Sequence, residues 1–243
     1  MLYLFEQYTF LLIGAAVIPA VLLVRAIYKA DSLEKEPSDL IVKLLIGGVI
    51  STIIATVLER VGLFVLDGIN FEDSTKYYMF QFFVIVGPAE EISKYILLRK
   101  MTWNHPSFNC QFDAIVYATV TSLGFALWEN IKYVFSYGLG TALVRAVTAV
   151  PGHACFGVFM GVWYGVAKRQ EVIGNHNASV IFRIIAIISP MIVHGAYDYI
   201  ATISSDMGTL LFFAFVVIMF FIAIRVVKRL AAHDRYLDSK ESL

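Results

Sequence analysis

The sequence predicts an all-α polytopic membrane bundle of about seven spans, and three observations predict it. The 243-residue chain is 59% hydrophobic and 16% charged, where a soluble domain of that length carries roughly a quarter charged residues. Its mean hydropathy is +0.74. Its apolar residues fall in runs near the length a helix needs to cross a bilayer, about 20 residues. Short polar loops separate them: Asp31–Pro37, Asp67–Lys76, Lys100–Gln111 and Lys168–Asn177. With no long linker, repeat or low-complexity run, residues 1–243 read as one integral membrane domain in a lipid bilayer.

The first span, Tyr8–Tyr28, has no basic residues before it and no small-residue cleavage site leading into a soluble domain. It therefore reads as a retained helix, not a signal peptide. The second is Leu40–Leu66. The third and fourth, Tyr77–Leu98 and Phe112–Tyr137, carry charged motifs. The fifth and sixth, Leu143–Ala167 and Ser179–Ile203, each carry a histidine, and the seventh is Thr209–Val227. Orientation follows from Lys and Arg, which concentrate on the cytoplasmic side. Fourteen lie in or beside the first, third and fifth loops and the tail, among them Lys29, Lys35, Arg99, Lys168, Arg229 and Lys240. Only Arg60, Lys76, Lys132 and Arg145 fall on the other side. The N-terminus is thus expected outside and the C-terminus in the cytoplasm. Cys110 and Cys155, in a loop and a span, have neither disulfide nor metal-ligand spacing. The Asp31–Pro37 loop is by composition a solvated turn, and nothing calls for a nucleic-acid partner.

The ionisable residues inside the spans carry the functional signal, because a charge at the bilayer centre costs at least a few kcal/mol and marks a function or a pairing partner. The third span reads Gly87-Pro88-Ala89-Glu90-Glu91-Ile92-Ser93-Lys94, and the fourth contains Trp128-Glu129-Asn130. The fifth contains Pro151-Gly152-His153, and the sixth His194-Gly195-Ala196-Tyr197-Asp198. At 1.5 Å per residue, Glu90, Glu129, His153 and His194 lie about 14, 25, 22 and 17 Å from the cytoplasmic face, one broad central layer. Glu90 and Lys94 share a helix face, as do His194 and Asp198. The Asp198 carboxylate can fix the His194 tautomer, and pairing of Lys94 with Glu90 leaves Glu91 the freer carboxylate. Two small-residue stripes end beside the polar groups: His153, Gly157, Gly161, Gly165, and Ala114, Ala118, Ser122, Ala126, Asn130. Such stripes let helices approach closely in lipid. Pro88, Pro151 and Pro190, each two to four residues before a polar group, can bend the helices and open a cavity.

Taken singly, each feature has a structural account: a salt bridge for Glu90–Lys94, interhelical hydrogen bonding for Glu129–Asn130, a packed polar contact for His153. Burying all of them without use would cost stability at every one. Carboxylates and imidazoles together suit activation of water, and Glu91, His153 and His194 are candidate ligands of a divalent metal such as zinc. The sequence has no H-E-x-x-H, no G-x-S-x-G and no paired aspartates of the Gly-x-Gly-Asp kind.

The E-E-x-x-K of Glu90, Glu91 and Lys94, the F-x-x-x-E-N of Phe125, Glu129 and Asn130, the isolated His153 and the H-x-x-x-D of His194 and Asp198 resemble the PrsW intramembrane proteases. The loop Asp31…Glu34-Lys35-Glu36-Pro37 is similar to that family's first cytoplasmic loop. The resemblance spans roughly residues 31 to 200, in a family related to the type II CAAX prenyl proteases. It implies a bacterial cell-membrane endopeptidase that makes the site-1 cut in a single-span, membrane-anchored anti-sigma factor. It carries Glu90, Glu91, Glu129, His153, His194 and Asp198 into the catalytic site, with Lys94 and Asn130 supporting. It leaves metallo- and glutamate-type chemistry open: the prenyl-protease relatives work with a Glu and histidines, and Glu129 stands where that mechanism has a histidine. In the favoured arrangement Glu91 is the general base, Glu90 assists or is held by Lys94, His153 shares in water activation or ligation, and Asp198 orients His194. The alternatives are a proton-coupled membrane carrier, since Glu/His relays also line transport paths, and a noncatalytic scaffold for a partner's helix.

Overall fold

The computed structural model describes residues 2–238, with side chains from residue 9 onward. The helices are α1 (Leu2–Ala30), α2 (Ser38–Asp67), α3 (Ser74–Phe80), a π-helical stretch (Gln81–Val86), α4 (Gly87–Thr102), α5 (Asp113–Tyr137), α6 (Leu139–Val147), α7 (Ala149–Val172), α8 (His176–Ala201) and α9 (Asp206–Ala232). The all-α fold expected from the apolar runs is present, and the described residues hold no strand beyond one isolated bridge, Cys110 to Tyr236. Among the described residues, five stretches can cross a membrane by length and composition: 9–30, 38–67, 139–172, 176–201 and 206–232. The remaining two expected spans, α3–α4 and α5, are helical over the expected lengths but are the ones whose apolar character Glu90, Glu91, Lys94 and Glu129 reduce. Large apolar side chains face outward, Phe64 being 82% exposed, as they do against lipid.

α5 is the central helix. Every residue from Asp113 to Ala126 is buried, as befits a helix apolar on all sides, and it packs against α1, α2 and α7. The glycine stripe of α7 meets the small-residue stripe of α5 as expected. A Cβ on Gly161 would lie 2.6 Å from the Ile115 Cα, and one on Gly157 2.6 Å from the Thr119 Cα. Only glycine allows that approach.

Two local expectations change. The fifth span, expected at 143–167, is divided at Thr148 between α6 and α7. Pro151 has no N–H to give the Val147 carbonyl, so the helix restarts just before it. Asp31 and Glu36, expected in a solvated turn, are 1% and 2% exposed, because residues 105–112 and 231–237 cover them. Ser32 Oγ donates to the Ala231 carbonyl at 3.1 Å, and Asn109 Nδ2 donates to Glu34 Oε1 at 2.9 Å. Lys240, part of the basic tail, lies outside the described residues. Both cysteines are free.

Candidate active site

The site is assembled where α4, α5, α7 and α8 cross. Pro88 cannot donate to the Val84 carbonyl, and the helix answers with the wider π turn over Gln81–Val86. That turn ends at Gly87, where a Cβ would lie 3.1 Å from the Met191 carbonyl of α8. On α8, a Cβ on Gly195 would lie 3.1 Å from the Phe82 carbonyl. Two glycines thus bring the backbones together immediately before Glu90–Glu91 and beside His194. On the other side, Ser122 Oγ donates to the His153 carbonyl at 2.6 Å and fixes α7 on α5.

Lys94 is the hub. Its Nζ donates to Glu91 Oε1 at 2.7 Å and Glu90 Oε2 at 3.2 Å, and lies 3.1 Å from His153 Nδ1. An ammonium has only protons to give, so Nδ1 of His153 accepts, and its Nε2 proton is directed to Glu129 Oε2 at 2.9 Å. Arg145 Nη2 donates to the same oxygen at 2.8 Å. His194 gives its Nδ1 proton to Glu91 Oε1 at 2.9 Å. In the neutral ring this leaves Nε2 with its lone pair, 3.4 Å from Asp198 Oδ2 and 3.9 Å from Glu90 Oε2. Phe156 stacks on the His194 ring with centroids 4.5 Å apart.

All six expected site residues therefore come together, with Lys94 among them. Two relations differ from expectation. Lys94 engages both carboxylates and Glu91 at the shorter distance, so Glu91 is not the freer one. Glu91 also orients His194 more closely than Asp198 does. A cavity of about 290 Å³ lies against Glu90, Glu129, His153, His194 and Asp198, and Glu91 stands behind that wall. Asn130 faces away from it: its Nδ2 donates to the Ala16 carbonyl of α1 at 2.9 Å, and its Oδ1 accepts from Arg145 Nε at 3.0 Å.

Arg145, Glu59 and Tyr197 also line the cavity and were not singled out from the sequence. The signal for two of them was present. Glu59 lies inside the expected second span and Arg145 inside the expected fifth, so the same cost of intramembrane charge applied to both.

The donor set also fits a divalent metal ion. Ligand atoms of Glu90, Glu91, His153 and His194 lie within 4.8 Å of one another, and the buried Glu91 Oε2 has no hydrogen-bond partner. Imidazole nitrogen with carboxylate oxygen is the donor chemistry of zinc sites. Glu90 thereby joins the three residues expected as ligands.

Comparison with known proteins adds the lineage of this arrangement. The model of a family described as PrsW family intramembrane metalloprotease matches residues 36–225. A protein named Protease PrsW from Oceanobacillus iheyensis is 31% identical over 218 residues, 90% of this chain and 95% of that protein. One of the same name from Bacillus subtilis is 30% identical over 197 residues, 81% of this chain and 85% of that protein. Another from Clostridioides difficile is 27% identical over 224 residues, 90% and 91% of the two chains. No solved structure matches the chain.

Proposed function

Since the chain belongs to the PrsW family of intramembrane proteases, we propose that its Glu/His cluster is the catalytic centre and that it makes the site-1 cut in a single-span, anti-sigma-factor-like membrane protein. The chain is a peptidase and a multi-pass protein of the cell membrane. The observation that carries the catalytic reading is the convergence of Glu90, Glu129, His153, His194 and Asp198, from four helices, on one cavity inside the bundle. A cavity among spanning helices takes a peptide delivered within the bilayer, which favours a membrane-anchored substrate. The Lys/Arg distribution supports seven spans with the N-terminus outside and the C-terminus in the cytoplasm.

Of the adjacent pair Glu90 and Glu91, Glu90 is the one that faces the cavity, so it takes the role of general base. It removes a proton from water while the oxygen attacks the scissile carbonyl carbon, and the proton passes to the leaving amine nitrogen as the C–N bond breaks. Glu91 and Lys94 form the support behind it: Glu91 sets the His194 tautomer and Lys94 balances both carboxylates. Across the cavity, the N–H groups of Arg145 and His153 converge at 2.8 and 2.9 Å on one oxygen position, now that of Glu129 Oε2. That is the spacing an oxyanion needs from its donors, so a carbonyl oxygen displacing the Glu129 carboxylate is stabilised there. Glu91, His153 and His194 would hold the metal that the family description implies, which leaves Glu90 as the base. Bound there, zinc supplies Lewis-acid polarisation of the carbonyl.

The test is cleavage of candidate single-span anti-sigma factors in proteoliposomes, with and without chelator. The native chain is expected to cut and Glu90→Gln to fail while remaining folded. Undiminished cleavage by Glu90→Gln would remove the general-base assignment. Solute uptake without any peptide cleavage would turn the reading to a carrier. Loss of cutting on chelation, restored by zinc, decides for the metal.

A further inference from the structure

We infer that the chain has a second cation site, for a hard divalent ion of the Ca²⁺ or Mg²⁺ kind, formed by Asp31, Glu36 and Asp113 where the α1–α2 loop meets the first turn of α5. These three residues are 1%, 2% and 0% exposed, and they offer ligand oxygens within 4.8 Å of one another. Two oxygens bound to one calcium at about 2.4 Å can be at most that far apart.

Two of the three carboxylates, Glu36 and Asp113, are held by one edge and left open at the other. Glu36 Oε2 accepts from the Tyr117 hydroxyl at 2.5 Å. Asp113 Oδ2 accepts from the Asn109 and Cys110 backbone N–H groups at 3.0 and 2.7 Å. Their second oxygens, Glu36 Oε1 and Asp113 Oδ1, are buried with no donor, as are both oxygens of Asp31. That makes four unpartnered carboxylate oxygens on three residues whose ligand atoms lie close together, two of them with the other edge fixed. An unpaired buried acceptor costs about 1–3 kcal/mol, and more when charged. Three such residues at one place imply a ligand.

The neighbouring cation does not fill the role. Lys35 Nζ donates to the backbone carbonyls of Tyr28 at 2.9 Å, Lys29 at 3.3 Å and Asp31, where it caps the end of α1. Burial pushes Asp31 up to about 6 against the opposing Lys35 charge, and Glu36 up to about 7 against the Tyr117 hydrogen bond. All-oxygen donors favour Ca²⁺ or Mg²⁺ over zinc. An ion here would bind the first loop to α5 and, through the Cys110–Tyr236 bridge, to the C-terminal segment. A proton shared between Glu36 and Asp113 is the competing way to hold the carboxylates together.

The test is equilibrium dialysis of the detergent-purified full chain, stripped with EDTA, against radioactive Ca²⁺, followed by competition with Mg²⁺. One Ca²⁺ per chain is expected, displaced by Mg²⁺, with affinity lowered at least about tenfold in Asp31→Asn and Glu36→Gln. Glu90→Gln should bind Ca²⁺ like the native chain, which separates this site from the intramembrane cluster. Added Ca²⁺ should also raise the thermal unfolding midpoint of the native chain. Failure of the native chain to bind either ion up to about 1 mM, the weak end of oxygen-ligated protein sites, overturns the site in favour of the shared proton, even if the variants fail to fold. Native-like binding in Asp31→Asn and Glu36→Gln, or loss of binding in Glu90→Gln, also overturns it.

Discussion

Two buried polar regions of this molecule handle charge in opposite ways. Around Lys94, the carboxylates of Glu90, Glu91 and Glu129 meet an ammonium, the Arg145 guanidinium and two imidazoles, and Glu91 Oε2 is a buried carboxylate oxygen without a partner. In the second, Asp113 meets two backbone N–H groups and Glu36 a tyrosine, Asp31 lies beside them, and four carboxylate oxygens stay open. The first region is neutralised largely from within the chain, as befits a cluster deep in a bilayer, where an uncompensated charge is costly. The second lies where a loop meets the helix ends, within reach of the aqueous phase, and can draw its compensation from solution. Depth thus decides which cluster carries its own counter-charges.

The sharpest way to break that contrast is to remove chemistry without removing charge balance. Glu90→Gln keeps the shape of the side chain and its contact with Lys94, so the unfolding midpoint should move little while cleavage falls by about 10²–10⁴-fold, the usual share of a general base. Reconstituted cleavage and a thermal melt on the same preparation separate the two effects. Lys94→Met does the reverse. It leaves Glu90 and Glu91 buried without a cation, which makes the deep cluster resemble the shallow one. Breaking a buried ion pair from one side costs about 3–5 kcal/mol, so a large drop in thermal midpoint is expected together with loss of activity. A Lys94→Met protein as stable as the native one would mean that the carboxylates are not charged against Lys94 at all.

The legibility of the two regions in the sequence was also unequal. The apolar runs gave the helices, and the glycine stripe on α7 gave the α5–α7 contact, because small residues at every fourth position leave one packing option. Gly161→Val tests that contact: with Ile115 Cα 2.6 Å from the new Cβ position, overpacking should cost about 1–3 kcal/mol, measured by thermal melting. The deep cluster was legible because charge is conspicuous among apolar residues. The acidic loop at 31–37 was not, because Asp, Glu and Lys in a loop are ordinary, and its burial depends on residues 105–112 and 231–237, which no local pattern links to it. The division of labour between Glu90 and Glu91 was likewise hidden. Helical spacing gives Lys94 a face shared with Glu90, but an i,i+3 partner is equally near, and only the packing of His194 and His153 around Lys94 assigns Glu91 to the interior.

The smallest expected effect lies at two adjacent residues. Glu129 and Asn130 form one motif in the sequence but serve different neighbours. Glu129 takes Arg145 and His153 at the cavity, while Asn130 ties α5 to the Ala16 carbonyl of α1 and to Arg145 Nε. Asn130→Ala should therefore lower stability by roughly 0.6–2 kcal/mol, the range of hydrogen bonds between membrane helices, and leave the turnover rate nearly intact. Glu129→Gln should do the converse. It keeps an acceptor for Arg145 and His153 but removes the charge between them, so the melt changes little and turnover falls. If Asn130→Ala lowers turnover as far as Glu129→Gln does, the α1 contact is not separable from the site. The boundary between the self-neutralised cluster and its scaffold would then lie one helix further out.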